Sequence, residues 1–298
     1  MRNEISVLRL HHHVVCMGQG RVLPPLLTPE TARLLLEGRE SVSFDLGLSH
    51  TDFHMGEDGV VLPDGSEIGL DDLRRIEGRE GAVFFVRDGV ILQVAISDGH
   101  FYKLVPTDGA PTLEIDGIRM HRTVGTTPDA DTRMKLEAVG VLRSGRGLDT
   151  CTGLGYSALS ALEEGAALVV STELRHQVLR VAEMNPWSRG LFEDSRLNLI
   201  LGDAYHVVDA LPEGFFDFVI HDPPRISLAG CLYSGDFYLK MKRVLGPGGR
   251  GFHYTGEPGS RRRGVDLRRG VMRRLRQVGF VDVSYREEVR GVTFSKPR

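Results

Sequence analysis

Four acidic residues in the second half of the chain have the type and spacing expected of a nucleoside-binding site. Asp149, Glu173, Asp203 and Asp222 each stand at or just past the end of a predicted strand. In an open α/β sheet, ligands bind at the carboxyl edge, so carboxylates there would line one site. An ionised carboxylate accepts two hydrogen bonds, which suits a ribose diol. Any one of the four could instead cap the helix that follows it.

The glycine-rich stretch GLDTCTGLG, Gly147 to Gly155, predicts the turn that such a site needs. Asp149 ends a short predicted strand, Gly153 and Gly155 form the turn, and a helix is predicted after it. Glycines let the backbone approach a ligand, and the helix N-terminus offers unpaired N–H groups. Glu173 follows Asp149 by 24 positions, close to the spacing at which a carboxylate meets a ribose hydroxyl. Many nucleotide-binding folds share such a turn, so it does not specify one of them. The same pattern also fits an ordinary tight turn in an α/β protein.

The elements that would position these residues alternate between strand and helix from about residue 123 onward, which predicts a mainly parallel sheet. The predicted strands are Gly147–Thr150, Ala167–Thr172, Leu197–Leu201, Phe216–His221 and Gly251–Tyr254. The predicted helices are Asp129–Val139, Tyr156–Glu164, Arg175–Met184, Ala204–Ala210, Gly235–Val244 and Val265–Val278. Two last strands, Val281–Arg286 and Val289–Ser295, predict an antiparallel hairpin. The fold class is therefore α/β, with a Rossmann-like sheet over residues 123–298.

Residues 1–122 are predicted to form a smaller, β-rich accessory domain without a catalytic group. Ser41–Leu48 alternates as a strand does, and Val60–Ile68 resembles a hairpin with Pro63-Asp64-Gly65 at its turn. Further strands are predicted at Val83–Val86, Val90–Ile96 and Phe101–Val105, with short helices at Pro29–Leu36 and Leu70–Ile76.

The composition of the 298 residues, 41% hydrophobic and 26% charged, is typical of a soluble globular protein. No apolar run approaches the roughly 20 residues that span a bilayer, and the N-terminus has no secretory pattern. We therefore expect a cytoplasmic protein without a membrane partner, whose oligomeric state the sequence leaves open. Cys16, Cys151 and Cys231 are too scattered for a disulfide framework or zinc site. His11–His13 fits a strand or turn better than a metal site, so no metal is predicted.

Together these motifs resemble the class I S-adenosylmethionine-dependent methyltransferases across roughly residues 130–298. LDTCTGLG matches the first motif of that family, with Cys151 in place of its usual first glycine. STELR places Glu173 at the ribose-binding position, and LGDAY places Asp203 where adenine is usually contacted. FDFVIHDPPR matches the fourth motif, GPGG at Gly246–Gly249 matches the turn before strand five, and predicted archaeal methyltransferases also carry DPPR. The resemblance implies S-adenosylmethionine as cofactor, held by Asp149, Cys151, Gly153, Gly155, Glu173 and Asp203.

The resemblance places the DPPR stretch, Asp222, Pro223, Pro224 and Arg225, where the transferred methyl group points. In relatives with DPPY or NPPY, the first side chain and a proline carbonyl accept bonds from the target amino group, and the aromatic residue stacks on the base. Arg225 replaces that aromatic residue and could stack or pair with a phosphate or carboxylate instead. The prolines could also merely shape a loop.

Two neighbours of this stretch are further candidates. His221 could act as a base, although a strand-end histidine is at least as often a packing residue. DPPR also occurs in uracil-5 methyltransferases, which use a cysteine nucleophile. Cys231 lies in LAGCLY, which does not resemble their cysteine motif, so we expect a buried, inert thiol.

Positive charge is concentrated near the C-terminal end. The net charge is −3, but residues from Arg250 onward hold 13 Lys/Arg against 5 Asp/Glu, which leaves −11 for the rest. Arg261–Arg276 holds eight arginines. A helix there would place Val271, Leu275 and Val278 on an apolar face. Arg269, Arg273 and Arg276 would lie on a basic face. Such charge usually forms a solvated face, and the functional alternative is that it binds RNA phosphates.

The sequence therefore predicts an enzyme that transfers a methyl group from S-adenosylmethionine to an unidentified acceptor, with RNA as one candidate. Two alternatives remain open. An aminopropyltransferase would use decarboxylated S-adenosylmethionine and would need extra acidic residues to hold a polyamine. A non-catalytic RNA-binding protein would keep the sheet without the chemistry.

Overall fold

The chain consists of two compact units in a computed structural model that describes residues 6–7, 22–56, 58–140, 143–256 and 267–298. The first unit comprises residues 1–129 and 177–193, and the second comprises residues 130–176 and 194–298. Predictions on His11–His13, Cys16 and Arg261–Arg263 lie outside the described residues. None of the helices in the described ranges has both the length and the apolar character needed to span a lipid bilayer.

The helices and strands follow one another in the order that a β-rich unit and an α/β unit require. The helices are α1 (Pro29–Leu36), α2 (Leu70–Glu77), α3 (Pro128–Val139), α4 (Tyr156–Glu163), α5 (His176–Ala182), α6 (Gly190–Glu193), α7 (Ala204–Ala210), α8 (Gly235–Val244) and α9 (Leu267–Gln277). The strands are β1 (Ser6–Val7), β2 (Ser41–Val42), β3 (Thr51–Asp52), β4 (His54–Met55), β5 (Gly59–Val61), β6 (Glu67–Gly69), β7 (Phe84–Arg87), β8 (Val90–Gln93), β9 (Ala95–Asp98), β10 (His100–Val105), β11 (Thr112–Ile115), β12 (Ile118–Arg119), β13 (Arg146–Asp149), β14 (Leu168–Glu173), β15 (Leu197–Leu201), β16 (Phe216–His221), β17 (Leu245–Tyr254), β18 (Val281–Arg286) and β19 (Gly291–Ser295).

The first unit is built from small sheets, as its alternating sequence predicts. The largest has the order β12-β11-β10-β9 and is antiparallel throughout. The predicted hairpin forms, with β5 paired antiparallel to β6. The predicted strand Val90–Ile96 is divided at Val94, because Val94 bonds to the Val83 carbonyl while β8 pairs with β7 and β9 pairs with β10.

The predicted strand Ser41–Leu48 is wrong beyond Val42. The Ser43 hydroxyl accepts a hydrogen bond from the Gly47 amide at 2.7 Å, and Asp45 Oδ1 accepts one from the Ser49 amide at 2.8 Å. Short Ser and Asp side chains offer the backbone such local partners in place of a strand neighbour. The chain therefore turns where alternation alone predicts a strand.

The second unit contains one seven-stranded sheet in the order β15-β14-β13-β16-β17-β19-β18. Its first five strands run parallel, and β19 is antiparallel to both of its neighbours. The α/β class, the Rossmann-like parallel sheet and the C-terminal antiparallel hairpin are thus confirmed. Most boundaries in this unit differ from the predicted ones by two residues or fewer, and the largest difference is in β17. This strand begins at Leu245, so Gly246–Gly249 lies within it, where its pairing with β16 is irregular.

Candidate active site

The turn after β13 has the close backbone geometry that its glycines predict. Gly153 and Gly155 have φ of +55° and +82°, a region that favours glycine. The Gly155 amide donates to the Thr152 carbonyl at 2.7 Å, which closes the turn, and α4 begins at the next residue. The first amides of α4 therefore lie directly beyond the carboxyl end of β13.

Asp149 is buried at the end of β13, with an exposed fraction of 1%. The Ser171 hydroxyl donates to its Oδ2 at 2.7 Å, and the Ser171 and Thr152 hydroxyls are themselves 2.6 Å apart. Oδ1 is buried and has no hydrogen-bond partner among the residues that the structure describes. Burial raises the pKa of Asp149 to about 7, against the lowering effects of the Ser171 hydroxyl and the Cys151 backbone amide. A buried acceptor without a partner is uncommon, and here it suits a bound donor or cation.

Glu173 ends β14, next to β13 in the sheet, and its carboxylate is held by backbone amides. The Gly153 amide donates to Oε2 at 3.0 Å and the Arg175 amide donates to Oε1 at 2.9 Å. Burial raises the pKa of Glu173, against the lowering effect of these amides. Each oxygen keeps a further lone pair, so this carboxylate can still accept bonds from a diol. Leu174, which follows it, is an exposed apolar side chain at 61%.

Asp203 caps α7, which is the structural role that the sequence analysis left open for it. Its Oδ1 accepts a hydrogen bond from the Tyr205 amide at 2.9 Å, two residues into the helix. The side chain is half-buried. Capping engages Oδ1 and leaves Oδ2 outside the cap.

Asp222 lies directly after β16, which is the neighbour of β13 on the other side from β14. Lys135 of α3 donates to Asp222 Oδ2 at 2.7 Å and lies 2.8 Å from Asp131 Oδ2. The Lys135 ammonium also lies 4.5 Å from the centre of the Tyr254 ring. The side chain of Asp222 is 27% exposed, whereas those of Lys135 and Asp131 are buried. Asp222 is therefore the member of this cluster that a ligand can reach.

The remaining residues of the DPPR stretch differ in exposure. Pro223 is buried, whereas Pro224 and Arg225 are exposed. The Tyr233 hydroxyl donates to the Pro224 carbonyl at 3.0 Å, which ties the loop to the short 3-10 helix Gly230–Tyr233. The loop therefore has a fixed backbone on one side and an exposed guanidinium on the other.

His221 is fully buried and both of its ring nitrogens are engaged. Nε2 lies 2.9 Å from the Leu232 carbonyl, which can only accept, so Nε2 carries the proton. Nδ1 lies 2.6 Å from the Thr150 hydroxyl. Burial lowers the pKa of His221 to about 3, so the ring is neutral at pH 7. This geometry favours the packing role over that of a base.

The two described cysteines have different environments. Cys151 in the turn is half-buried, and burial raises the pKa of its thiol. Cys231 is exposed, so the prediction of a buried thiol there is wrong. Its 3-10 helix buries Leu232 and Tyr233 instead, and so turns the Cys231 side outward.

Sequence reasoning missed several residues that contact or adjoin the carboxylates of the site. Asp131 and Lys135 are four positions apart, a helical spacing that predicts an ion pair, but nothing in the sequence links that pair to Asp222. Ser171 is a small polar residue within an apolar strand, a signal for a buried hydrogen bond. Leu174 could have been found as an apolar residue directly after the predicted ribose-binding carboxylate.

Comparison with known proteins defines the fold class. No family model matches this chain. A crystal structure of spermidine synthase in complex with the transition-state analogue AdoDATO matches with a TM-score of 0.54, covering 67% of this chain and 70% of that one at 17% identity. At this identity the likeness concerns the fold alone. This chain therefore shares the fold of that spermidine synthase, with a mainly parallel central sheet.

A sequence relative then defines the family. The uncharacterized protein MJ1233 of Methanocaldococcus jannaschii is 50% identical over 237 residues, which cover 80% of this chain and 81% of that protein. This chain belongs to the family of MJ1233. The polyamine aminopropyltransferase of Sulfolobus acidocaldarius is 29% identical over 117 residues, which cover 38% of this chain and 36% of that enzyme.

Proposed function

We propose that this chain binds S-adenosylmethionine at the carboxyl ends of β13 and β14 and transfers its methyl group to a nucleophile at Asp222. The observation that carries the proposal is the position of three carboxylates, those of Asp149, Glu173 and Asp222. They lie at the ends of three strands that are neighbours in the sheet, in the order β14-β13-β16. Carboxyl groups gathered at one sheet edge supply the hydrogen-bond acceptors that a nucleoside requires.

The residues present fit such a cofactor. Glu173 has lone pairs for the ribose hydroxyls, the glycine turn allows close approach, and the buried Asp149 Oδ1 offers an unused acceptor. S-adenosylmethionine, when bound, supplies an electrophilic methyl group on a positively charged sulfur. The work left to the chain is to hold the nucleophile in line with that methyl group.

Asp222 is the residue we assign to that alignment. Its Oδ2 is held by Lys135, and its Oδ1 has no hydrogen bond in the described part of the chain, so it can accept one from an N–H or O–H of the acceptor. A carboxylate held on one oxygen and open on the other gives the acceptor a defined orientation. RNA is one candidate acceptor.

Aminopropyl transfer from decarboxylated S-adenosylmethionine is a second candidate. It is favoured by the similarity to a polyamine aminopropyltransferase and to a spermidine synthase. Both donors are sulfonium nucleosides, so Asp149 and Glu173 would serve either one. The two candidates differ in the group transferred and in the charge of the acceptor.

Calorimetric titration with each donor tests the cofactor part of the proposal. We expect wild-type protein to bind S-adenosylmethionine more tightly than its decarboxylated form. Glu173→Ala should weaken binding by roughly 10- to 100-fold, because it removes acceptors to the ribose. Glu164→Ala, an exposed residue at the end of α4, is the matched control and should bind as wild type does. Tight binding of the decarboxylated donor alone would favour aminopropyl transfer, and RNA binding without either donor would favour the non-catalytic alternative.

Labelled methyl donor tests the transfer itself. Cell extract is incubated with the protein and the labelled donor, and RNA, protein and metabolite fractions are then separated. We expect Asp222→Ala to reduce label transfer by about 100-fold or more while the affinity for the donor stays unchanged, because the acceptor loses the side-chain oxygen that orients it. Transfer at the wild-type rate by this variant would contradict the assignment of Asp222.

A further inference from the structure

The Lys135 ammonium is a fixed positive charge at the acceptor side of the site. It bridges Asp222 Oδ2 at 2.7 Å and Asp131 Oδ2 at 2.8 Å, and the Tyr254 ring lies 4.5 Å away. Its side chain is 7% exposed, so the ammonium cannot swing into solvent as a surface lysine does. Asp131 lies one helical turn before it on α3 and is its second carboxylate partner.

A polyamine acceptor would need the negative charge of Asp222, which already pairs with the Lys135 ammonium. Polyamines carry several ammonium groups, and these require carboxylates that no other cation neutralises. At Asp222 the carboxylate already has an ammonium partner within hydrogen-bond distance. A second ammonium on the same carboxylate would lie close to the first, and like charges repel strongly where water is excluded.

We infer that Lys135 is a specificity-determining residue, which reserves Asp222 for an uncharged N–H or O–H nucleophile and excludes polycationic acceptors. The inference rests on the proposed role of Asp222 in orienting the acceptor. The buried ammonium of Lys135 would thus distinguish this site from a polyamine-binding site. It also gives the Asp131–Lys135 pair a function beyond helix stability, because Asp131 keeps the ammonium in place.

Spermidine binding to the full chain is the test, with S-adenosylmethionine binding measured on the same samples. Lys135→Met should bind spermidine at least about tenfold more tightly than wild type, since it removes the repelling charge. Lys135→Arg keeps the charge and should remain as weak as wild type. Lys240→Met is the matched control, because Lys240 forms an ion pair with Asp209 in the same unit and does not contact Asp222. It should also bind spermidine as wild type does.

Lys135→Met leaves Asp131 buried without its partner and can fail to fold. The double variant Asp131→Asn, Lys135→Met removes both buried charges and should show the same gain in spermidine affinity. Spermidine affinity equal to that of wild type, in a Met variant that still binds S-adenosylmethionine, would overturn the inference. Loss of S-adenosylmethionine binding in both Met variants would also overturn it, because Lys135 would then be structural. Failure of wild type to bind the donor would instead count against the proposed function.

Discussion

Asp149 has the least ordinary environment of the carboxylates in the site. It is buried beside two further acidic groups, and one of its oxygens lacks a partner among the described residues. Desolvation penalises the charged form, and the nearby charges of Asp222 and Glu173 add to that penalty. The ionised form of Asp149 is therefore poorly stabilised unless a cationic group lies beside it. This property is more typical of a ligand-binding residue than of a structural one.

The raised pKa of Asp149 predicts a pH-dependent stability. In the folded chain its pKa is about 7, against an ordinary 3.8, so the folded state holds this proton more tightly than the unfolded state. Its contribution to the free energy of unfolding is therefore complete below pH 4, falls as the pH rises towards 7, and is lost above that. The loss amounts to at most about 4 kcal/mol. Asp149→Asn should match wild type only below about pH 4, and its advantage in stability over wild type should grow as the pH rises from 5 to 8.

Urea denaturation between pH 5 and pH 8 measures this difference. His221 titrates in the opposite sense, because its lowered pKa costs stability as the pH falls below 6.5, but wild type and variant share it. Asp282→Asn, at an exposed aspartate, serves as control and should follow wild type at every pH. A constant difference between wild type and Asp149→Asn across this range would contradict the burial argument.

At the scale of elements, the central sheet depends on glycines that lie opposite phenylalanine rings. Gly147 of β13 pairs with Phe218 of β16, and Gly251 of β17 pairs with Phe294 of β19. A Cβ on Gly147 would lie 2.3 Å from the Phe218 ring, and one on Gly251 would lie 2.2 Å from the Phe294 ring. Each glycine makes room for an aromatic side chain from the neighbouring strand. Gly147 therefore has a packing role, although it opens the stretch that carries the cofactor turn.

Gly147→Ala should destabilise the chain by roughly 1 to 3 kcal/mol, because the new methyl group overlaps the Phe218 ring. Chemical denaturation measures the change. Gly230→Ala is a suitable control, since a Cβ there meets no heavy atom within 4 Å. Adding Phe218→Leu to Gly147→Ala should recover part of the loss, and an additive further loss would show that the ring is not the cause.

Elements in the second unit follow from the sequence more closely than those in the first. Phe216–His221, Ala204–Ala210 and Gly235–Val244 have the predicted bounds, because buried parallel strands are continuous apolar runs and polar caps mark the helix ends. The start of β17 could not be predicted, since GPGG indicates a turn although its flanking backbone pairs with β16. The contact of Lys135 with Asp222 spans 87 positions, and no local pattern encodes it.

At the scale of the whole molecule, the charge is divided between an acidic majority and a basic C-terminal stretch. The described part of that stretch is α9, which buries Val271 and Leu275 and exposes Arg269, Arg273 and Arg276, as its periodicity predicts. Some of its arginines also serve the fold: Arg268 lies 4.8 Å from the Tyr285 ring centre, and Arg276 donates from Nη2 alone to the Val283 carbonyl at 2.8 Å, which leaves its Nη1 for a phosphate. Fewer guanidinium groups are thus available to an RNA partner than the arginine count suggests.

RNA is one proposed partner of this chain, and its binding through α9 should be modest and sensitive to salt. Three phosphate contacts on a single strand predict a slope of about −2 for the logarithm of affinity against that of salt concentration. Replacing Arg269, Arg273 and Arg276 by Gln should remove this slope contribution, as measured by fluorescence anisotropy with a labelled single-stranded RNA. The matched control replaces Arg74, Arg75 and Arg79, which are exposed at and just after α2, and so makes the same change in net charge. Equal losses from both sets would assign binding to overall charge, and no loss from the α9 set would exclude this helix as the RNA contact.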